Sequence, residues 1–184
     1  MRVYCIDASS LIEWGVRFQP RTIAEPLWLR LEDLIHTGRM ITVRQVVSEL
    51  NGGRSDGMAR WARRQPTRWI RSVDPAIVKT VTELMRAFPD LVRPEVKFGA
   101  DPYLIAWAER IGQRDPLDTP ELFSDELTDP REPVIVTEER PKAGKVNIPW
   151  VCSKRGLACV NLERLLEVER WSFGEFPDST QAER

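Results

Sequence analysis

Asp7, Glu49, Asp101 and the neighbouring Glu138 and Glu139 are the residues of this sequence best placed to do chemistry. Asp7 ends the first hydrophobic run, Val3-Tyr4-Cys5-Ile6. Glu49 lies on the helix expected after the second run, Asp101 at a helix start, and Glu138 and Glu139 just past Val134-Ile135-Val136-Thr137. Each position can reach one edge of a parallel sheet, where open α/β folds bind ligands. Carboxylates gathered there repel one another and raise each other's pKa unless a cation intervenes, and hard oxygen donors suit Mg²⁺ or Mn²⁺. A cation so held ionises and orients water and stabilises a leaving oxygen at phosphorus, so phosphodiester hydrolysis is the expected reaction.

Taken singly, each acid has a plainer explanation. Asp7 can cap a helix, Asp101 before Pro102 has the form of an ordinary helix start, Glu49 can be a solvated helical acid, and Glu138 and Glu139 can be turn residues. Their ordered joint occurrence favours the metal site.

The elements that must position them alternate strand and helix. The spacing predicts a first strand ending at Ile6, a helix capped by Ser9 or Ser10 and running through Trp14, and a helix over 23–35 stopped by Gly38. Residues 40–43 form a short strand and 44–50 a helix that breaks at Asn51-Gly52-Gly53. Helices follow over 56–64 and 75–88, the latter opened by Pro75. Asp101-Pro102 opens an amphipathic helix over 103–111. Residues 114–133 hold four prolines and seven acids and read as a surface insertion. A strand over 133–137, a helix over 149–155, a strand over 157–160 and a helix from Leu162 to about Arg170 complete a single domain over 1–171. The tail over 172–184 reads as frayed.

The chain has 184 residues, 42% of them hydrophobic, enough for one domain with a substantial core. Its 27 basic and 28 acidic side chains nearly cancel, so only local patches argue for a partner. The cysteines, Cys5, Cys152 and Cys159, include no CxxC pair and read as small reduced core residues of a cytoplasmic protein. No apolar run approaches the ~18 residues of a membrane span, and the amino terminus does not read as a signal peptide.

The segments YCIDASSLI, VVSEL, GADPYLIAWA and VIVTEE resemble, in that order, the four acidic motifs of PIN-domain proteins. The resemblance extends over about residues 1–170. It is strongest to an uncharacterised PIN-like branch related to VapC-type bacterial toxins, whose final segment resembles KVNIPWVCSKRGLACVNLERLL. It implies a three-layer α/β/α fold with a central, mainly parallel sheet and a metal-dependent endoribonuclease using one or two Mg²⁺ or Mn²⁺ ions. Asp7 would be the principal ligand, with Glu49 and Asp101 beside it and Glu139 as the fourth acid. Ser9 would match the small hydroxyl after the first acid and Thr137 the threonine that opens the fourth motif. The family more often has aspartate at the position of Glu139, and Trp150 stands where that branch would have an acidic or polar residue. The resemblance further suggests a toxin held by an antitoxin segment across the acidic cleft, and a homodimer; seven tryptophans would supply aromatic surface for one.

Substrate contact is expected from Ser9, Thr137 and a basic stretch. Between Arg54 and Arg71 there are six arginines, among them Arg60, Arg63 and Arg64, with Trp61 and Trp69 interleaved. Guanidinium groups grip phosphate, and indoles stack on unpaired bases, so this stretch can hold single-stranded or looped RNA; the alternative is a solvated helix whose tryptophans face the core. Lys142, Lys145, Lys154 and Arg155 could grip phosphates from the other rim. The lone His36, near a helix end, is placed to interact with terminal carbonyls, and no nucleotide-binding glycine motif occurs. Two other classes stay open: a non-catalytic PIN-like module binding RNA or protein, and a structure-selective DNA nuclease.

Overall fold

The computed structural model describes residues 1–19, 21–51, 56–92, 99–113 and 131–171. Arg54, most of the 114–133 insertion, the Gly52-Gly53 break and the tail from Ser172 lie outside the described residues.

Five strands form one parallel sheet: β1 (Arg2–Ile6), β2 (Met40–Val43), β3 (Ile70–Arg71), β4 (Glu132–Val136) and β5 (Ala158–Val160), in the spatial order β3-β2-β1-β4-β5. Near-continuous apolar runs such as Val3-Tyr4-Cys5-Ile6 and Met40-Ile41-Thr42-Val43 suit strands covered on both faces, and every residue in them is buried. β1 and β4 are central, in register from Arg2 opposite Glu132 to Ile6 opposite Val136.

Helices α1 (Ala8–Arg17) and α2 (Glu25–His36) connect β1 to β2; α3 (Arg44–Glu49) and α4 (Asp56–Arg64) connect β2 to β3. The chain then crosses to the other side of β1 through α5 (Pro75–Ala87) and α6 (Asp101–Gln113) to reach β4. It continues through α7 (Ile148–Arg155) to β5 and ends in α8 (Leu162–Val168). α1, α3 and α4 pack together, while α6 lies along β1, β2 and β4 and touches α5 and α7. Right-handed crossovers between parallel strands then set helices on both faces, a three-layer α/β/α arrangement.

α1 and α4 approach closely at Gly15, where a Cβ would stand 2.7 Å from the Met58 side chain. Asp74 caps α5 through the Ile77 N–H, Asn147 caps α7 through that of Trp150, and Asn161 caps α8 through that of Arg164. At the far edge, the Glu169 carboxylate accepts from Tyr4 and Arg39, both at 2.6 Å, tying the end of α8 to β1.

Most expected elements occur within a few residues of their expected ends, and β3 is the one strand the sequence does not disclose. Two residues carry no periodicity, and Ile70–Arg71 becomes a strand only by pairing with Thr42 and Val43. Trp61 and Trp69, placed as base-stacking residues by one reading, are core residues. They pack edge-to-face at 5.9 Å, and their indole N–H groups bond to Glu32 and the Ala62 carbonyl. Trp14, Trp28 and Trp107 are buried as well, so the core takes most of the aromatic surface on which the homodimer expectation leaned. His36 Nδ1 lies 2.8 Å from the Glu32 carbonyl of its own helix.

Candidate functional site

β1 sits between β2 and β4, so the chain leaves it toward opposite sides and a crevice opens at the carboxyl ends of β1 and β4, the topological switch point. Asp7 follows β1 directly and Thr137 follows β4 directly. Asp7 is 5% exposed and is the N-cap of α1 in place of the expected Ser9 or Ser10, which lie within the helix; its charge also reaches Glu49 and Asp101. Its Oδ2 accepts from the Ser9 hydroxyl at 2.7 Å, the Thr137 hydroxyl at 3.1 Å and the Ser9 N–H at 3.3 Å. One carboxylate oxygen is thus taken up in orientation. Ser9 and Thr137, expected at the substrate, have their hydroxyls engaged with Asp7 and with the Glu138 and Glu139 amides, which makes them positioning groups.

Glu49 ends α3 and reaches across to the start of α6, where its Oε1 accepts the Ala100 N–H at 2.9 Å. Asp101 begins α6 one residue later. Burial pushes the Glu49 carboxyl up to about 7; the Ala100 hydrogen bond opposes this, and the charges of Asp7 and Glu139 add to it. Burial, then Asp7, Glu139 and Glu49, push Asp101 up to about 8. Four carboxylates from four separate stretches of chain therefore act on one another in one low-dielectric crevice.

Glu138 and Glu139 diverge. Glu138 Oε1 accepts the Leu162 N–H at 2.8 Å, at the start of α8. Glu139 Oε2 accepts the Ile148 N–H at 3.0 Å, at the start of α7, and its charge reaches both Glu49 and Asp101. Glu139 is the member of the pair that joins the other acids. With Glu49 and Asp101 it lines a cavity of about 170 Å³ that also takes in Asp90, Lys145 and Asn147. Sequence reasoning missed Asp90 and Asn147. Asn147-Ile148-Pro149, a cap followed by proline in the first turn, was a readable signal for Asn147, while nothing local marked Asp90.

The arginines of α4 do not line the acidic cavity. Arg60, Arg63 and Arg64 are exposed on α4. Arg63 bonds Asn51, while Arg60 and Arg64 line a groove of about 610 Å³ with Trp28, Met58 and Trp61. Arg155, considered as a phosphate grip, is paired with the buried Glu109 carboxylate, and the Lys154 ammonium sits over the Trp150 ring at 5.5 Å. Lys145 is the one cation lining the acidic cavity among the described residues.

Hard carboxylate oxygens are the donor set a divalent cation needs, and their mutual repulsion is the electrostatic signature of a site that would gain from one. Among the described residues, however, no three His, Cys, Asp or Glu side chains are already drawn together as a finished metal cage.

This arrangement defines a doubly wound α/β domain with an acidic crevice at its switch point. The family model for a domain of unknown function, DUF4411, matches residues 4–121, more than half of the chain, and the protein belongs to that family. The matched span contains Asp7, Glu49 and Asp101 and ends before Glu139. No curated protein matches the chain. No helix among the described residues is long and apolar enough to cross a membrane.

Proposed function

We propose that this protein is a PIN-like, divalent-metal-dependent nuclease that hydrolyses RNA. The observation that carries this reading is the convergence of Glu49, Asp101 and Glu139, from three separate stretches of chain, on one cavity; burial and the neighbouring acids push the Glu49 and Asp101 carboxyls up, in keeping with it. A cluster held at that electrostatic cost, at the edge where open α/β sheets bind ligands, is characteristic of a functional site.

Asp7, Glu49, Asp101 and Glu139 would hold Mg²⁺ or Mn²⁺, which supplies an activated water and charge neutralisation at the phosphate. Ser9 and Thr137 fix Asp7 through Oδ2 and leave Oδ1 for the cation. The Ala100 and Ile148 amides hold Glu49 and Glu139 by one oxygen each in the same way. Asp101 and Glu49 bind protons near neutral pH without the cation, and loading it would expel them. Lys145 at the crevice and the exposed arginines of α4 are the cations available to the RNA backbone.

The test is calorimetric titration of Mn²⁺ into the wild type and Asp7→Asn, together with cleavage of matched RNA and DNA substrates. Saturable binding lost in the variant, with divalent-dependent cleavage of RNA, is the expected result. Preference for DNA would replace the substrate assignment by the structure-selective nuclease.

A second reading is a PIN-like module that binds RNA or a protein without cutting, since among the described residues the acids do not already converge as a metal cage. RNA binding with no Mn²⁺ heat would select it. The family resemblance also supports a toxin restrained by an antitoxin and paired with a second copy. Growth arrest on expression of the wild type, but not of Asp7→Asn, is the result expected of a toxin.

A further inference from the structure

Cys152 on α7 and Cys159 in β5 are separated by six residues, and the turn between them folds one onto the other. α7 stops at Gly156, whose φ of 68° is left-handed; its N–H and that of Leu157, the latter at 3.0 Å, both return to the Cys152 carbonyl. The reversal sets both thiols on the lining of one cavity, where each acts on the other's titration. Both are free, and both line a cavity of about 450 Å³ that Thr137 and Glu139 also line. Cys152 is 1% exposed, whereas Cys159 is half-buried and lines that cavity; Cys5 is wholly buried.

We infer that Cys152 and Cys159 form a reversible disulfide that adjusts the acidic crevice through α7. A disulfide sets its sulfurs about 2.05 Å apart, well inside a thiol hydrogen bond, so α7 and β5 must draw together. β5 is held to β4 along its length: Ala158, Cys159 and Val160 pair with Val134, Ile135 and Val136, and the Thr137 N–H bonds the Val160 carbonyl at 2.9 Å. α7 moves toward β5, and its first amide, Ile148 N–H, is the group that holds Glu139. Closing the bond disturbs the hold on the fourth acid.

The oxidant is a small-molecule disulfide, RSSR. The Cys159 thiolate attacks one sulfur, the RSSR bond breaks, and the departing RS⁻ takes up the proton that Cys159 released. The Cys152 thiolate then attacks the Cys159 sulfur of the mixed disulfide and expels the second RS⁻, which takes the second proton. Two protein thiols lose two electrons, and RSSR becomes two RSH. The hydrogen bond from Cys152 lowers the Cys159 thiol, against burial and the charges of Glu139 and Asp7, and that supports Cys159 as the attacking group. The adjustment of the crevice rests on the nuclease reading; the cross-link itself does not.

The experiment incubates the full chain with oxidised glutathione and digests it with trypsin without reductant. Lys154 and Arg155 separate the cysteines, so the disulfide appears as peptide 146–154 joined to peptide 156–164. The expected result is that linked pair, with the third thiol intact, reversed by dithiothreitol and missing from Cys159→Ser. Three surviving thiols, or a stable glutathione adduct on Cys159 without the linked pair, would overturn it. Hydrogen exchange of the Ile148 amide tests the coupling: exchange at least about threefold faster in the oxidised protein is expected, and an unchanged rate would overturn it. Neither readout involves a divalent ion or RNA, so failure of the nuclease reading leaves a different mark.

Discussion

Thr137 donates its hydroxyl hydrogen to Asp7 Oδ2 at 3.1 Å, joining the residue after β4 to the residue after β1 across the switch point. The Thr137 hydroxyl oxygen in turn accepts the Glu139 N–H at 3.2 Å, so one hydroxyl orients two of the four acids. Thr137→Val keeps the shape and removes both bonds. It should cost roughly 1 kcal/mol of stability and lower divalent-dependent cleavage about tenfold, while Thr137→Ser restores most of the rate. Cleavage rates and thermal melts of the two variants check this; an unaffected rate in Thr137→Val would remove Thr137 from the positioning role.

The raised carboxyls make the metal-free protein sensitive to pH. Asp101 has its folded pKa lifted from near 4 to about 8, so the folded state binds that proton more tightly than the unfolded chain. Its contribution is fully present below about pH 4 and is lost as pH rises through about 8. Asp101→Asn removes the titration. In chelator-treated protein the variant should melt at least about 3 °C above wild type at pH 8.5, with the gap closing toward pH 4. Equal melting temperatures at high pH would show that Asp101 is not under repulsion.

Glu138 and Glu139 should separate cleanly as variants. Glu139→Gln removes a charge from the crevice and should weaken Mn²⁺ binding on the order of tenfold or more. Glu138→Gln leaves the crevice acids intact and keeps an acceptor for the Leu162 N–H, so Mn²⁺ binding should be unchanged. Calorimetry on both proteins decides, and the reverse pattern would move the fourth acid to Glu138.

The exposed arginines of α4 are tested through salt. In an Asp7→Asn background, replacing Arg60, Arg63 and Arg64 together by alanine should weaken RNA binding and flatten its log–log dependence on salt by roughly 2, at about 0.7 per lost phosphate contact. A slope equal to that of the parent would leave those arginines to the separate groove they line.

Local chemistry wrote much of this fold legibly. Unbroken apolar runs marked β1, β2 and β4; Pro75 and Asp101-Pro102 marked helix starts; and the order Asp7, Glu49, Asp101, Glu139 stood out because each acid lies at or just past an end of an element. The caps Asp74 and Asn161 were readable in principle, since a cap depends only on residues within one turn. Asp7 shows the limit: the same sequence signal fits a cap and a ligand position; the carboxylate caps α1, and its charge also reaches Asp101.

What the sequence alone determined is the set of strands and helices with local signals and the acids at their ends, because periodicity, capping and turn preference act over a few residues. Only the tertiary structure decided that Ile70–Arg71 is a strand, that Trp61 and Trp69 are core, that Glu139 and not Glu138 faces Asp101, that Asp90 lines the same cavity, and that Cys152 meets Cys159. Those outcomes depend on strand order and on which side of β1 each crossover passes. They are set by long-range packing, for which no stretch of a few residues carries a signature.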